Sequence, residues 1–385
     1  MPVIDQIAEF ADQLSAIRRD FHEHPELGME EVRTSGIVAK LLKEWGIETH
    51  TGIGKTGVVG VLKGRGSGRS IGLRADMDAL PIEEKTNLPF SSKTAGVMHA
   101  CGHDAHTTML LGAARYLAET KNFDGTAVFI FQPAEEGLGG ARAMLADDLF
   151  ARFPCDEIYG MHNNPIGVPN AVGVKPGRAM AGADFFDFFI EGKGSHAAMP
   201  DQSKDPVVVA AALVNQLQTI VSRNLKPIAP CVLSVTQVHA GTAYNVIPSQ
   251  ATVSGTMRYF DLDVATMARQ RMSDLAAGLA KAYGVEIELK VDEKFDVLVN
   301  DEKLSHVMLE IATDVVGPQN VSVTPDVRTG SEDFADMLRV VPGAYCTVGH
   351  GGTMPLHNDQ FYLDEDILPV GASIYARLVE QRAVS

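Results

Sequence analysis

Cysteine, tryptophan and positive charge are all scarce in this sequence. Its 385 residues include four cysteines and one tryptophan, and 33 lysines and arginines stand against 49 aspartates and glutamates, a formal net charge of −16. Four widely separated cysteines do not suggest a disulfide framework. The acidic balance disfavours nucleic acid and anionic membrane surfaces as partners.

Long apolar runs are also missing. No stretch approaches the roughly 20 apolar residues that a membrane span needs, and the chain opens with Met1-Pro2-Val3-Ile4-Asp5 rather than with a basic and then apolar leader. We therefore expect a soluble, cytoplasmic protein. Hydrophobic residues still make up 45% of the chain, which is enough for a sizeable core, and the length favours two domains.

Strands that alternate with helices predict a mostly parallel sheet. Apolar, β-branched runs at residues 58–62, 71–73, 127–131 and 157–162 are separated by stretches with helical spacing, and a first helix is predicted over residues 3–23. This order is typical of an α/β fold whose sheet is covered on both faces.

The pattern changes between residues 183 and 292. A strand, a helix, two strands, a helix and a final strand follow one another there, which is the order of the ferredoxin-like unit. We therefore predict an α/β catalytic, metal-binding domain formed by residues 1–182 and 293–385, with an α+β domain of residues 183–292 inserted into it.

Two adjacent carboxylates, Glu135 and Glu136, directly follow the predicted strand at residues 127–131. Such groups are costly to place near a core unless something positive is close to them. Thiol and imidazole groups lie at or near other strand ends, namely those of Cys101, His103, His162 and His357. Ligands collect at the carboxyl ends of the strands in parallel sheets, so we expect these segments to converge on one metal site.

Five donors predict a site for two metal ions. The set consists of Cys101, His103, Glu136, His162 and His357, which is more than one tetrahedral zinc needs, and zinc, manganese, cobalt and nickel all suit these donor types. Two ions about 3.5–4 Å apart would acidify a water molecule and polarise a carbonyl group. Glu135 is left over, and a carboxylate beside the metals that is not a ligand suits the general base for that water.

Plainer interpretations exist for each residue taken alone. A single histidine is often a satisfied core residue, and a pair of glutamates often lies on the surface. Cys101 could instead be a nucleophile activated by His103, although the carboxylate pair would then be unexplained. We expect His99 and His106 to orient the ligands, and His22 to be a cation near the end of the first helix.

Seven motifs in this sequence resemble those of the M20 metallopeptidase family. They are Met-His-Ala-Cys-Gly-His-Asp (98–104), Gln-Pro-Ala-Glu-Glu-Gly (132–137), Gly-Met-His (160–162), Gly-Ser-His-Ala-Ala-Met-Pro (194–200), Gly-Thr-Ala-Tyr-Asn-Val-Ile-Pro (241–248), Gly-Ser-Glu-Asp-Phe (330–334) and Leu-His-Asn (356–358). The likeness is greatest to the amidohydrolase branch, which includes hippurate hydrolases, aminoacylases and plant indoleacetyl-amino-acid hydrolases. It extends from about residue 14 to the C-terminal helix.

This resemblance implies a zinc-peptidase-like catalytic domain with two divalent metal ions and an inserted ferredoxin-like lid, through which the family often forms homodimers. It implies hydrolysis of the amide bond between an acyl group and an amino acid, with a small N-acyl amino acid as substrate. Glu135 matches the general base. The remaining matches are Glu136 and His357 with the ligands of one metal, His103 and His162 with those of the other, and Cys101 with the bridging ligand.

The resemblance also assigns roles within the lid. His196 matches a donor to the developing oxyanion, and Asn245 and Arg258 match contacts to the substrate carboxylate, for which the planar fork of arginine is suited. The chain departs from the wider family at one position, because many members carry His-x-Asp where this sequence has Arg74-Ala75-Asp76. Asp76 and Asp78 are then either supports for the ligands or structural residues.

Two other functions remain open at this stage. The same residues would serve a dipeptidase or a carboxypeptidase, and a non-catalytic metal-binding or sensing protein is the alternative of another class. The spare carboxylate of Glu135 favours an enzyme, because a binding protein has no need of a base. The preferred acyl group and amino acid do not follow from the sequence.

Overall fold

The computed structural model describes residues 3–384, which form two compact units. Unit 1 contains the described residues up to Ala179, the segment Leu298–Val327 and the described residues from Asp333 onward. Unit 2 contains Met180–Val297 and Arg328–Glu332. Each unit has a hydrophobic core of its own.

Strands and helices are numbered in chain order over residues 3–384. The strands are β1 (Glu48–Ile53), β2 (Gly57–Lys63), β3 (Ser70–Asp76), β4 (Thr126–Gln132), β5 (Glu157–Asn164), β6 (Val172–Val174), β7 (Gly177–Met180), β8 (Gly182–Glu191), β9 (Ser195–His196), β10 (Cys231–Ala240), β11 (Val246–Ile247), β12 (Gln250–Tyr259), β13 (Glu286–Phe295), β14 (Leu298–Asn300), β15 (Val321–Val323) and β16 (Gly343–Gly349). The α-helices are α1 (Asp5–Glu9), α2 (Ala11–Glu23), α3 (Val32–Glu44), α4 (His103–Thr120), α5 (Gly140–Ala146), α6 (Leu149–Arg152), α7 (Pro206–Thr219), α8 (Leu262–Tyr283), α9 (Glu302–Val316), α10 (Phe334–Leu338) and α11 (Ile367–Arg382).

Unit 1 is built on an eight-stranded sheet with the order β1-β2-β4-β3-β5-β16-β6-β15. Its central strands β4, β3, β5 and β16 are neighbours and run parallel. The β1–β2 and β2–β4 pairs are antiparallel, as is the β16–β6 pair. The predicted α/β fold with a mostly parallel sheet is therefore confirmed, and antiparallel pairs flank the parallel centre.

Helices cover this sheet because its central strands are apolar on both faces. Six of the seven residues of β4 are buried, which is the pattern of a strand with neighbours above and below it. Helix α4 is buried along most of its length and packs against α2 and α11. The single helix predicted over residues 3–23 is wrong, since the backbone leaves the helical region at Phe10 and α1 ends there. This break places the Phe10 side chain in the core.

Unit 2 contains a four-stranded antiparallel sheet with the order β10-β12-β8-β13. Helices α7 and α8 pack on it, and their buried residues form the second core. Along the chain the elements follow as β8, α7, β10, β12, α8 and β13. The short strands β9 and β11 pair with each other outside this sheet.

Within residues 3–384, the helices all fall short of the length and apolar character that a membrane crossing requires.

Candidate metal centre

The predicted donors of unit 1 lie at one edge of its sheet. Because β4, β3, β5 and β16 are parallel neighbours, their carboxyl ends face the same edge. Glu135 and Glu136 follow β4, His162 lies near the end of β5, and His357 lies in the loop after β16. The His357 backbone N–H donates to the carbonyl of Ala100 at 2.9 Å, which ties this loop to the segment before α4.

A left-handed turn at Gly102 separates two of the predicted donors, Cys101 before it and His103 at the start of α4. Its φ is +86°, a conformation that glycine adopts without steric cost. A Cβ atom at this position would lie 2.4 Å from the side-chain nitrogen of Asn163, so any residue with a side chain would clash there. Cys101 precedes this turn and His103 begins the helix.

The donor atoms form two overlapping groups. Those of Cys101, His103 and His162 lie within 4.8 Å of one another, and so do those of Cys101, Glu136 and His357. The Cys101 sulfur is 3.3 Å from Nε2 of His162. Cys101 thus belongs to both groups, which is the arrangement that a bridging thiolate between two ions requires.

Two buried atoms at the centre of these groups have no hydrogen bond within residues 3–384. They are Nε2 of His103 and Oε1 of Glu136, which lie 4.0 Å apart. Nε2 of His357 is 3.1 Å from the same Glu136 oxygen, again without the geometry of a hydrogen bond. Since buried polar atoms are nearly always bonded, donors that face one another in this way fit divalent cations held between them.

Neighbouring groups hold the ligands in the orientation that metal binding needs. Oδ1 of Asp78 lies 3.0 Å from Nδ1 of His103, and its Oδ2 accepts the backbone N–H of Glu136 at 2.9 Å. Nδ1 of His162 donates to the carbonyl of Asn163 at 2.7 Å. Both histidines therefore present Nε2 to the donor groups.

His106 supports this arrangement without being free to ligate. Its Nδ1 lies 2.7 Å from Oδ1 of Asp76, and its Nε2 accepts the backbone N–H of Asn163 at 2.9 Å, so both ring nitrogens are used. The ring also packs edge-on against His162, with the centroids 4.5 Å apart. His99 is buried, and neither of its ring nitrogens is bonded within the described residues. Burial lowers the pKa of His99 to about 4.

The electrostatics show a site with an excess of negative charge. Burial, together with Glu136 and Glu135, raises the pKa of the Cys101 thiol well above its usual range. Burial opposes a charge on His103, yet Asp76 and Asp78 raise its pKa to about 10. A divalent cation would take the place of that proton and ionise the thiol, because metal ligands must be deprotonated.

Arg74 lies on β3 close to the proposed metal centre. It is fully buried, with Nη1 2.8 Å from Asp76 and Nη2 3.1 Å from Asp333. Although burial opposes ionisation, His103 and Arg74 hold the pKa of Asp76 well below its usual range. The two oxygens of Asp76 are engaged by His106 and Arg74, so this carboxylate supports other groups.

Glu135 lies beside the donors but has a different environment. It is 6% exposed, and its acceptor atoms lie within 4.8 Å of those of His103 and Glu136. The backbone before it adopts a left-handed conformation at Ala134, with φ +52°. The Ala134 N–H donates to the buried carboxylate of Glu31 at 2.8 Å.

The hydrogen-bond partners of several supporting residues could not be predicted from the sequence. Glu31 and Asn163 carry no local pattern that marks them, because their partners lie about 60 to 100 residues away. His22 does lie in the last turn of α2, but the sequence does not reveal its buried carboxylate partner. His22 is fully buried, with Nδ1 2.8 Å from the Asp104 carboxylate. Burial and Arg18 oppose its charge, but hydrogen bonds to Asp104 and Glu84 raise its pKa.

In unit 2, two of the three predicted residues line the same cleft. His196 is exposed on β9, where it pairs with Val246 of β11. His196 and Asn245 both line a cleft of about 700 Å³, and the Ala197 N–H donates to the Asn245 carbonyl at 3.0 Å. Arg258 is half-buried on β12, does not line this cleft, and lies over the Phe185 ring with its guanidinium carbon 5.8 Å from the centroid.

The sequence of this chain is similar to those of several known proteins. Residues 72–381 match the family described as peptidase family M20/M25/M40. The chain is 41% identical over 378 residues to the hippurate hydrolase of Campylobacter jejuni, covering 98% of each chain. It is 41% identical over 371 residues to the N-acetylcysteine deacetylase of Bacillus subtilis, covering 96% of each.

A solved structure from Bacillus subtilis, described as a dinuclear metal-binding peptidase of the M20 family, is also similar. It superposes with a TM-score of 0.84 at 38% identity, covering 97% of this chain and 98% of the other.

The donor geometry makes Cys101 a test of metal binding. Because its sulfur belongs to both donor groups, Cys101→Ala should weaken binding of both ions at least about tenfold, the loss already produced when residues that orient a ligand are removed. Metal titration by calorimetry and metal content per chain measure this. Cys231→Ala, a half-buried cysteine of unit 2, is the control. Equal metal affinity in the two variants would show that Cys101 is not a ligand.

Proposed function

This chain belongs to peptidase family M20/M25/M40 and is a hydrolase that acts on linear amides; from that premise we propose that it cleaves N-acyl amino acids, including N-aroyl ones, to a carboxylic acid and a free amino acid. The observation that carries the proposal is a buried carboxylate, that of Glu135, beside groups of residues whose donor atoms lie close enough to hold metal ions. Relatives named hippurate hydrolase and N-acetylcysteine deacetylase support this substrate class.

The proposed ligands divide between two divalent ions. Glu136 and His357 would hold one, His103 and His162 the other, and Cys101 would bridge them. When bound, the ions supply Lewis acidity that lowers the pKa of a water molecule and polarises the amide carbonyl. Zinc, manganese, cobalt and nickel all suit this donor set.

Glu135 performs the proton transfers in this proposal. Its carboxylate takes a proton from the attacking water and later delivers it to the departing amine nitrogen, so that the base is restored within one turnover. The hydrogen bond from the Asp333 backbone N–H to its Oε1, at 3.4 Å, orients this carboxylate. Its nearness to the proposed ligands His103 and Glu136 supports a role beside the metal ions.

The family resemblance assigns roles to three residues of unit 2. We assign His196 as a hydrogen-bond donor to the oxyanion that develops on the substrate carbonyl. Asn245 and Arg258 are assigned to the carboxylate of the amino acid product. The cleft that His196 and Asn245 both line supports their joint role. Arg258 stands apart from that cleft, so its assignment rests on the family resemblance.

We further propose a homodimer through unit 2 and a cytoplasmic location. Strand β10 is at the edge of its sheet, and Val232 and Val238 on it are exposed; an unprotected edge with apolar side chains favours pairing with a second chain. Light scattering should then give twice the mass of 41.3 kDa, and a mass of one chain would contradict it. The four cysteines are all free, which suits a reducing compartment.

Replacement of the proposed base tests the mechanism. Glu135→Ala should lower kcat at least about a thousandfold, within the range attributed to general acid–base catalysis, while metal content stays at the wild-type value. Steady-state kinetics and metal analysis on the same preparation measure this. Glu310→Ala, on the exposed side of α9, serves as the matched control. Substantial turnover by Glu135→Ala would show that this carboxylate is not the base.

A substrate panel tests the reaction class. N-benzoyl, N-acetyl and indoleacetyl amino acids should be hydrolysed after loading with each of the four metals, and unblocked dipeptides should be poor substrates. Release of free amino acid measures the rates. Faster cleavage of unblocked dipeptides would assign the chain to the dipeptidases instead. Activity that survives complete chelation would contradict metal dependence.

A further inference from the structure

The Arg74 side chain donates hydrogen bonds to three other side chains near the proposed metal centre. Its Nε donates to Oε1 of Gln132 at 2.8 Å, its Nη1 to Oδ2 of Asp76 at 2.8 Å, and its Nη2 to Oδ1 of Asp333 at 3.1 Å. The guanidinium is fully buried and lies over the ring of Phe334, 5.6 Å from its centroid. Each donor edge of the side chain therefore has its own acceptor.

Asp333 connects this arginine to the segment that carries the proposed base. Its Oδ1 also accepts Nε2 of Gln132 at 2.7 Å, and its Oδ2 accepts the backbone N–H of Ala141 at 3.0 Å. The Asp333 N–H donates to Oε1 of Glu135 at 3.4 Å. Asp333 thus contacts both the Glu135 side chain and the backbone of Ala141, which lies just beyond the loop after β4.

We propose that Arg74 is a positioning residue that fixes the side chain of Glu135 through Asp333. The inference rests on the proposed function for the role of Glu135, but the contacts themselves do not depend on it. Arg74 does not belong to any of the groups of candidate donors, so it acts through the residues it holds, and of these Asp333 contacts Glu135.

Only arginine meets the demands of this position. A planar guanidinium donates in three directions at once, whereas a lysine ammonium is a point charge on a flexible stem. The positive charge of Arg74 also compensates the buried carboxylates of Asp76 and Asp333. Removal of one member of a buried ion pair leaves the charge of the other without compensation. Lysine at position 74 would keep the charge but lose the fixed geometry, which makes Arg74→Lys the informative change.

The effect on catalysis should fall on kcat. A small displacement of a catalytic group can cost about 100-fold in rate, so we expect Arg74→Lys to lower kcat about 10- to 100-fold. Substrate affinity uses other residues in the proposal, so KM should stay within about threefold. Because Arg74 also holds Asp76, which lies beside His103 and His106, kcat is compared at equal metal content. A merely destabilising substitution would not produce this separation.

The experiment compares metal-loaded Arg74→Lys and Asp333→Asn with wild type. Asp333→Asn keeps the shape of the side chain but replaces one acceptor oxygen, and it serves where the lysine variant does not fold. Arg382→Lys is the control, because Arg382 also pairs with a buried carboxylate of the same sheet, that of Glu157, at 2.6 Å. Hydrogen exchange of the peptide covering residues 133–141 is measured beside kcat, KM and metal content.

Faster exchange at residues 133–141 in both variants but not in the control, together with the fall in kcat, supports the inference. Unchanged exchange in both variants overturns it, and so does a fall in kcat that only follows lost metal. If wild type hydrolyses none of the N-acyl amino acids, the proposed function fails, and hydrogen exchange still decides whether Arg74 orders this segment.

Discussion

Negative charge collected at one edge of the sheet is the constraint on which the rest of unit 1 depends. Six carboxylates are buried or half-buried there: Glu31, Asp76, Asp78, Glu135, Glu136 and Asp333. Burial raises the pKa of Glu31, and Arg74 balances Asp76 and Asp333. The charges that remain face histidines and a thiol. Because an uncompensated buried charge is strongly destabilising, a cation bound at this edge would stabilise the fold, and its binding would be coupled to folding.

Three of these carboxylates also order the loop after β4 through its backbone. Glu31 accepts the N–H of Ala134, Asp78 that of Glu136, and Asp333 that of Ala141. Hydrogen bonds to a charged acceptor are stronger than neutral ones, so the loop is fixed at its beginning, middle and end. The roles proposed for the adjacent residues Glu135 and Glu136, a base and a ligand, would need this fixation, because their side chains would have to point to different partners.

The parallel centre of the sheet and the positions of the donors could be predicted because each depends on a local pattern. β4 is a continuous apolar run, and Glu135 and Glu136 follow it directly. The short strands β6, β7, β14 and β15 have three or four residues each, too few for a periodicity, and depend on their neighbours. The roles of Glu31, His22 and Arg74 depend on partners distant in sequence, about which spacing carries no information.

Arg74 cannot itself be a metal ligand, because a guanidinium has no lone pair to give to a cation. The proposed ligands therefore come from other segments, among them Cys101, whose sulfur lies 3.3 Å from Nε2 of His162. A thiolate also brings a negative charge, which an imidazole does not. The Arg74 contacts are satisfied by protein groups alone, whereas His103 and Glu136 each keep a buried atom without a hydrogen bond. The groups that a cation would satisfy are therefore the proposed ligands. The segment that carries Glu135 is ordered by hydrogen bonds within the protein.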